Sequence, residues 1–131
     1  MTSVTDTRLL FFMEVPANPE MGRKARDFFE KELRENLLAP TVVLTEFIEI
    51  AGARIGEEAA KTRIRLLKER GMKVVQFDES QALKTGSLLL ANRNIPLADA
   101  IIASYVHTGA AEYVLTDDPH FKTLDVKTRW L

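Results

Sequence analysis

Short apolar runs alternate along the chain with longer stretches in which apolar residues recur every three or four positions. The runs predict strands and the longer period predicts amphipathic helices. Met1 to Thr5 is long enough only for a short strand. "RLLFFMEV" follows, too apolar for a surface loop, and predicts one or two buried helical turns. "PANPE", Pro16 to Glu20, is a break. From Glu20 to Asn36, the residues Met21, Ala25, Phe28, Phe29 and Leu33 share one face of an amphipathic helix. Leu37 to Gly56 begins as a short strand and then becomes helical, with Val43, Phe47, Ile50 and Ala51 on one side and Gly56 as a stop. Glu57 to Arg70 reads as a helix ended by Gly71, with Arg63, Arg65, Lys68 and Arg70 as a solvated face. Met72 to Phe77 is a strand. Asp78 to Arg93 is a helix capped by Asp78 or Ser80. A second helix is opened by Pro96 and closed by Gly109. Glu112 to Thr116 is a strand, and "DVKTRWL" supplies a last edge strand.

Strands separated by helices imply an α/β fold: a central, mostly parallel sheet with helices on both faces and right-handed crossovers. The 131 residues suit a single domain over 1–131 with a sizeable core. Composition then removes several function classes. A net charge of -1 excludes nucleic-acid binding driven by overall charge, although local patches remain open. The absence of cysteine removes disulfides, thiol catalysis and zinc–thiolate sites. No signal peptide is visible, and no apolar run approaches the roughly 18–20 residues of a membrane span. The expectation is a soluble cytoplasmic protein with no membrane contact.

Ligands of open parallel sheets bind beyond the carboxyl ends of the strands, so the polar groups there carry the candidate chemistry. Asp6 follows the first strand. Thr45, a possible helix cap, and Glu46 follow "PTVVL". Asp117 and Asp118 follow "EYVL". Asp99 lies in the first turn of the helix opened by Pro96, among Leu97, Ala98, Ala100, Ile101 and Ile102. Taken singly, Asp99 reads as a partner of the helix dipole, Glu46 as a solvated position and Asp6 as a turn residue. Taken together, they would converge at one end of one sheet, with no lysine or arginine beside Glu46 or Asp99 in sequence. Clustered carboxylates repel unless a cation lies between them. Oxygen-only ligands suit Mg²⁺ or Mn²⁺, which points to hydrolysis of a phosphate ester.

These residues resemble the PIN domain, the nuclease family that includes the VapC-type toxins. The most specific stretch is "IPLADAIIASYVHTGAAEYVLTDDPHF". It has an aspartate opening a small-residue-rich helix and then a strand ending in Thr-x-Asp-x-x-Phe. "LTEFIEI" resembles the segment carrying the family's glutamate, and "VTDTR" its first motif. The resemblance implies a PIN-like three-layer α/β/α sandwich. It also implies a metal-dependent endoribonuclease in which Asp6, Glu46, Asp99 and Asp118 hold Mg²⁺ or Mn²⁺. Asp117 is either a further ligand or a solvated neighbour, and Thr116 orients a carboxylate or a water. The likeness to VapC toxins implies a homodimer silenced by a VapB-like antitoxin.

One position departs from the family pattern. Arg8 stands where many members have asparagine. It could weaken the metal site, contact an RNA phosphate or point away. Arg8, Arg93 and Lys122 are the candidate RNA contacts, because they adjoin the acidic mouth. His120 reads as a surface histidine, since no second histidine stands at metal-ligand spacing. Phe11 and Phe12 read as core. Two other readings compete: a PIN-like module that binds RNA or protein without cutting, which Arg8 favours, and a receiver-like phosphoacceptor, which lacks the lysine such a domain needs after "EYVLT".

Overall fold

The computed structural model describes residues 1–131. Five short strands, β1 (Ser3–Thr5), β2 (Leu37–Pro40), β3 (Lys73–Val75), β4 (Tyr113–Leu115) and β5 (Thr128–Arg129), form one sheet in the order β3-β2-β1-β4-β5. Every neighbouring pair is parallel. The central strands are buried on both faces, as a parallel sheet under two helical layers requires.

Seven helices complete the chain: α1 (Thr7–Glu14), α2 (Pro19–Leu33), α3 (Thr41–Ile55), α4 (Glu57–Glu69), α5 (Glu79–Ala91), α6 (Leu97–His107) and α7 (His120–Thr123). Given right-handed crossovers, α1 to α4 cover one face and α5 to α7 the other. The packing agrees, since α1 lies on α2 and α3, α3 on α4, and α5 on α6. Gly56, with φ of +93°, forms the whole connection between α3 and α4, a conformation that a side chain would strain.

Two details differ from the pattern reading. The strand expected to run into "PTVVL" stops at Pro40, and Thr41 already begins α3. Proline has no N–H for the next ladder position, and Val43, Phe47 and Ala51 recur on the buried helical face. Packing on that face overrides the β-branched run Thr41-Val42-Val43. Thr45 is therefore not a cap, and Glu46 sits in the second turn of a helix rather than just past a strand. The short helix α7 was also absent from the pattern, being a single turn after Pro119.

A core of 28 apolar residues fills the space between the layers, with Phe29, Phe47 and Phe121 fully buried in it. Between α5 and α6 the packing is partly polar: Ser104 Oγ donates to Gln81 Oε1 at 3.0 Å, and Gln81 Nε2 donates to Thr108 Oγ1 at 3.1 Å. Replacing Phe47 by alanine should cost about 3–5 kcal/mol in urea unfolding, through lost transfer energy and a residual cavity. The same truncation at exposed Leu66 should stay within about 0.5 kcal/mol. Equal costs at the two positions would contradict this account of the core.

Candidate functional site

The chain leaves β1 toward β2 on one side and leaves β4 toward β5 on the other. Adjacent parallel strands whose connections part in this way open a crevice at their carboxyl ends. Asp6 lies directly after β1 and Thr116 directly after β4. The ladder extends one step beyond the strands, where Asp6 N–H donates to the Leu115 carbonyl at 3.3 Å. The two loops are thereby locked in register.

Asp6 is the N-cap of α1, and its 5% exposure leaves it almost no contact with water. Its Oδ1 accepts from Thr7 N–H at 2.7 Å and its Oδ2 from Thr116 Oγ1 at 2.8 Å. Thr116 Oγ1 in turn accepts from Asp118 N–H at 3.0 Å. Glu46 reaches across from α3 and accepts from Thr7 Oγ1 at 2.6 Å. Asp99 is carried in by the first turn of α6, whose residues Asp99 to Tyr105 are all buried. Asp118 is held by an Asx turn, with His120 N–H donating to its Oδ1 at 2.9 Å. Asp6, Glu46, Asp99 and Asp118 therefore arrive from four different segments. They line a single cavity of about 340 Å³, whose other walls are Thr7, Arg8, Phe11, Phe12 and Ile50.

The electrostatics of this cavity are unfavourable to the bare protein. Burial pushes the Asp6 carboxyl from 3.8 up to about 6. The hydrogen bonds from Thr116 and Thr7 oppose that rise, while the nearby charges of Asp99 and Glu46 add to it. Asp99 is also raised, first by burial, with Asp118 and Glu46 adding and His120 opposing. No lysine or arginine pairs with any of the four; their partners are threonines, backbone amides and one imidazole. The only other nearly fully buried carboxylate, Glu32, is treated differently. It accepts from Tyr113 OH at 2.9 Å and from Arg129 Nη1 at 3.1 Å. Glu32 thus carries its own counter-ion, whereas buried Asp6 and Asp99 and half-buried Glu46 and Asp118 have no lysine or arginine partner. An all-oxygen donor set with no resident cation fits a hard divalent ion such as Mg²⁺ or Mn²⁺.

The other candidate residues are distributed unevenly. Arg8 lines the cavity mouth, but its guanidinium forms a fork with Asp117, at 2.7 Å from Nε to Oδ1 and 3.1 Å from Nη2 to Oδ2. Asp117 thus faces Arg8 and is not among the residues that line the cavity. Thr116 is buried and orients the Asp6 carboxylate. Arg93 is exposed in the turn before α6 and Lys122 is exposed on α7, and neither lines the cavity. Arg63 of α4 pairs with Glu14, and Arg70 at the C-cap of that helix pairs with Glu30.

Two readings of single residues change and one is extended. Thr7 had drawn no attention, yet it links the first motif to Glu46; its place beside Asp6 at a strand-to-helix junction was the available signal. Phe11 and Phe12 are partly buried: they pack against the core as expected and also form an apolar wall of the cavity. His120 is not a free surface histidine. Its Nδ1 lies 2.9 Å from Asp99 Oδ2 and 3.1 Å from Asp118 Oδ1. A lone histidine two residues from an aspartate gave too weak a pattern to show this.

The PIN domain family profile matches residues 4–127, so the chain belongs to the PIN family. No curated protein sequence matches it significantly. Among solved structures it resembles VapBC2 from Rickettsia felis bound to a promoter DNA fragment, with a TM-score of 0.80 and 14% identity over 100% of this chain and 99% of that one. It resembles the sarcin-ricin-loop-cleaving toxin VapC20 of Mycobacterium tuberculosis with a TM-score of 0.78 and 13% identity over 95% of each chain. DNA-bound VapBC from Salmonella typhimurium gives a TM-score of 0.78 and 18% identity over 99% of this chain and 98% of that one. At these identities the likeness establishes the shared fold.

The raised Asp6 pKa keeps the carboxyl protonated in the folded state up to about pH 6. The unfolded chain ionises near 3.8, but the folded protein resists ionisation up to about 6. This group's contribution to stability is therefore fully present below pH 3.8 and is lost as pH rises through about 6. In EDTA at pH 8, Asp6→Asn should stabilise the protein by on the order of 2–3 kcal/mol, because asparagine keeps the cap and carries no charge. At pH 4 the gain should have largely vanished. A gain independent of pH, measured by thermal unfolding across that range, would refute the electrostatic explanation.

Proposed function

We propose that this protein is a metal-dependent endoribonuclease that hydrolyses RNA phosphodiester bonds, acting as the toxin of a VapBC-type toxin–antitoxin pair. The observation that carries the proposal is the convergence of Asp6, Glu46, Asp99 and Asp118 on one cavity, none of them paired with a lysine or arginine. Asp6, Glu46, Asp99 and Asp118 would hold Mg²⁺ or Mn²⁺. Such an ion lowers the pKa of a bound water and neutralises charge on the phosphodiester oxygens. The chain's own contribution is positioning. Thr116 and Thr7 fix the Asp6 carboxylate from two sides, and Thr7 also holds Glu46. The Asx turn fixes Asp118.

Binding of the substrate divides between two kinds of surface. Phe11 and Phe12 offer an apolar wall to a base beside the acidic floor. Arg8 at the mouth, with Arg93 and Lys122 outside it, supplies positive charge for RNA phosphates. Arg8 pairs directly with Asp117 and with none of the four carboxylates, which favours catalysis over the binding-module alternative. The solved relatives include VapBC complexes, which supports a VapB-like antitoxin as partner. An exposed apolar stripe of Leu83 and Leu90 on α5, with Leu97 at the start of α6, supports a homodimer. No helix is long and apolar enough to cross a membrane.

Purified protein should cleave a structured-RNA pool with Mn²⁺ or Mg²⁺ and not with EDTA. Asp99→Asn should lower that cleavage by about a hundredfold or more, the scale expected when charge stabilisation at the reacting centre is removed. RNA binding without cleavage in the wild type would instead favour the non-catalytic module. For the dimer, Leu83→Glu combined with Leu90→Glu should convert the protein to a monomer in light scattering. An unchanged mass would place the interface elsewhere.

A further inference from the structure

His120 supplies a nitrogen atom beside two members of the acidic cluster, Asp99 and Asp118. Nδ1 lies 2.9 Å from Asp99 Oδ2 and 3.1 Å from Asp118 Oδ1, and the three donor atoms are all within 4.8 Å of one another. Two features hold it there. Its backbone N–H is tied to Asp118 Oδ1, and Pro119, with φ of −65°, caps the single turn of α7 that His120 begins. One ring proton cannot fully satisfy both carboxylates. The spacing suits another arrangement as well. In an octahedral site with bonds of about 2.1 Å, neighbouring donor atoms are roughly 3.0 Å apart, and the separations of 2.9 and 3.1 Å straddle that value.

We propose that His120 is a metal ligand through Nδ1, beside Asp99 and Asp118, and that it biases the centre toward transition ions, Mn²⁺ included, over Mg²⁺. This rests on the metal site of the proposed nuclease. Mg²⁺ prefers oxygen donors and retains its waters, whereas imidazole nitrogen strengthens binding of first-row transition ions. Ligation through Nδ1 leaves the ring proton on Nε2. The carboxylates of Asp6 and Glu46 stay with their threonine donors, so the nitrogen joins the Asp99–Asp118 side of the cavity only.

The test uses the metal-stripped full chain without an added histidine tag, as wild type and as His120→Gln, after thermal unfolding in EDTA has shown that both fold. The probes are Mn²⁺ and Mg²⁺ alone. Calorimetric titration should show His120→Gln weakening Mn²⁺ binding by about tenfold or more and Mg²⁺ binding by less than about threefold. Electron spin-echo modulation of bound Mn²⁺ should show nitrogen coupling in the wild type and none in the variant. The chain has two histidines, and His107 Nε2 is bonded to the Leu124 carbonyl, so loss of the signal in the variant assigns it to His120. Bound Mn²⁺ without nitrogen coupling, or equal weakening of both ions, would overturn the proposal and leave His120 as a positioning residue, with the metal site intact. If the wild type binds neither ion, the metal-site reading itself fails and the proposal falls with it. Should His120→Gln fail to fold, His120→Asn takes its place under the same criteria.

Discussion

Val4 and Val114 face each other in register at the centre of the sheet, and the chain leaves their strands in opposite directions. That single parallel pairing has two consequences. It brings residues more than a hundred positions apart to the same sheet end, and it leaves no crossover above them to fill the gap. Asp6 and Thr116 are then within hydrogen-bond reach, and their bond extends the ladder into the cavity. Helices α3 and α6 need only pack in their ordinary places to add Glu46 and Asp99.

The site so formed is held at the expense of folding stability. Asp6 and Asp99 are buried without a lysine or arginine partner; the charges of Asp99 and Glu46 add to the reluctance of Asp6 to ionise, and those of Asp118 and Glu46 to that of Asp99. Threonine hydroxyls and backbone amides offset part of the desolvation, since hydrogen bonds to a charged group are stronger than neutral ones. They do not remove it. Elsewhere the protein neutralises its charges locally: Glu32 with Arg129, Glu14 with Arg63, Asp117 with Arg8. The four carboxylates of the cavity have no lysine or arginine partner of this kind.

Arg8 shows how one substitution in a motif can be absorbed. Placed two residues after Asp6, its charge could have collapsed onto the acidic floor. Instead the first turn of α1 carries it outward, where Asp117 accepts the guanidinium as a fork and the Phe12 ring lies 5.0 Å beneath it. The adjacent aspartates after β4 thereby divide their work: Asp118 turns inward under its Asx turn, and Asp117 turns outward to Arg8.

Much of this was legible in the sequence because it depends on local periodicity. The alternation of short apolar runs with amphipathic stretches is enough to specify a parallel α/β sheet, since parallel strands need crossovers and helices supply them. The acidic positions Asp6, Asp99 and Asp118 were legible for the same reason: each stands at the end of an element, where chain direction alone brings it to one edge. Residues that matter through distant partners were not. Whether Thr41 to Leu44 continues a strand or starts a helix depends on the buried surface that α3 meets, which no local pattern states. Thr7 becomes a bridge only because α3 delivers Glu46 beside it. Arg8 finds Asp117, and His120 finds Asp99, only after strands from opposite ends of the chain have paired. Local sequence determined which elements form and which ends carry charge. Tertiary packing decided which charged and polar groups face one another, because those distances are set by strand register and helix seating rather than by spacing along the chain.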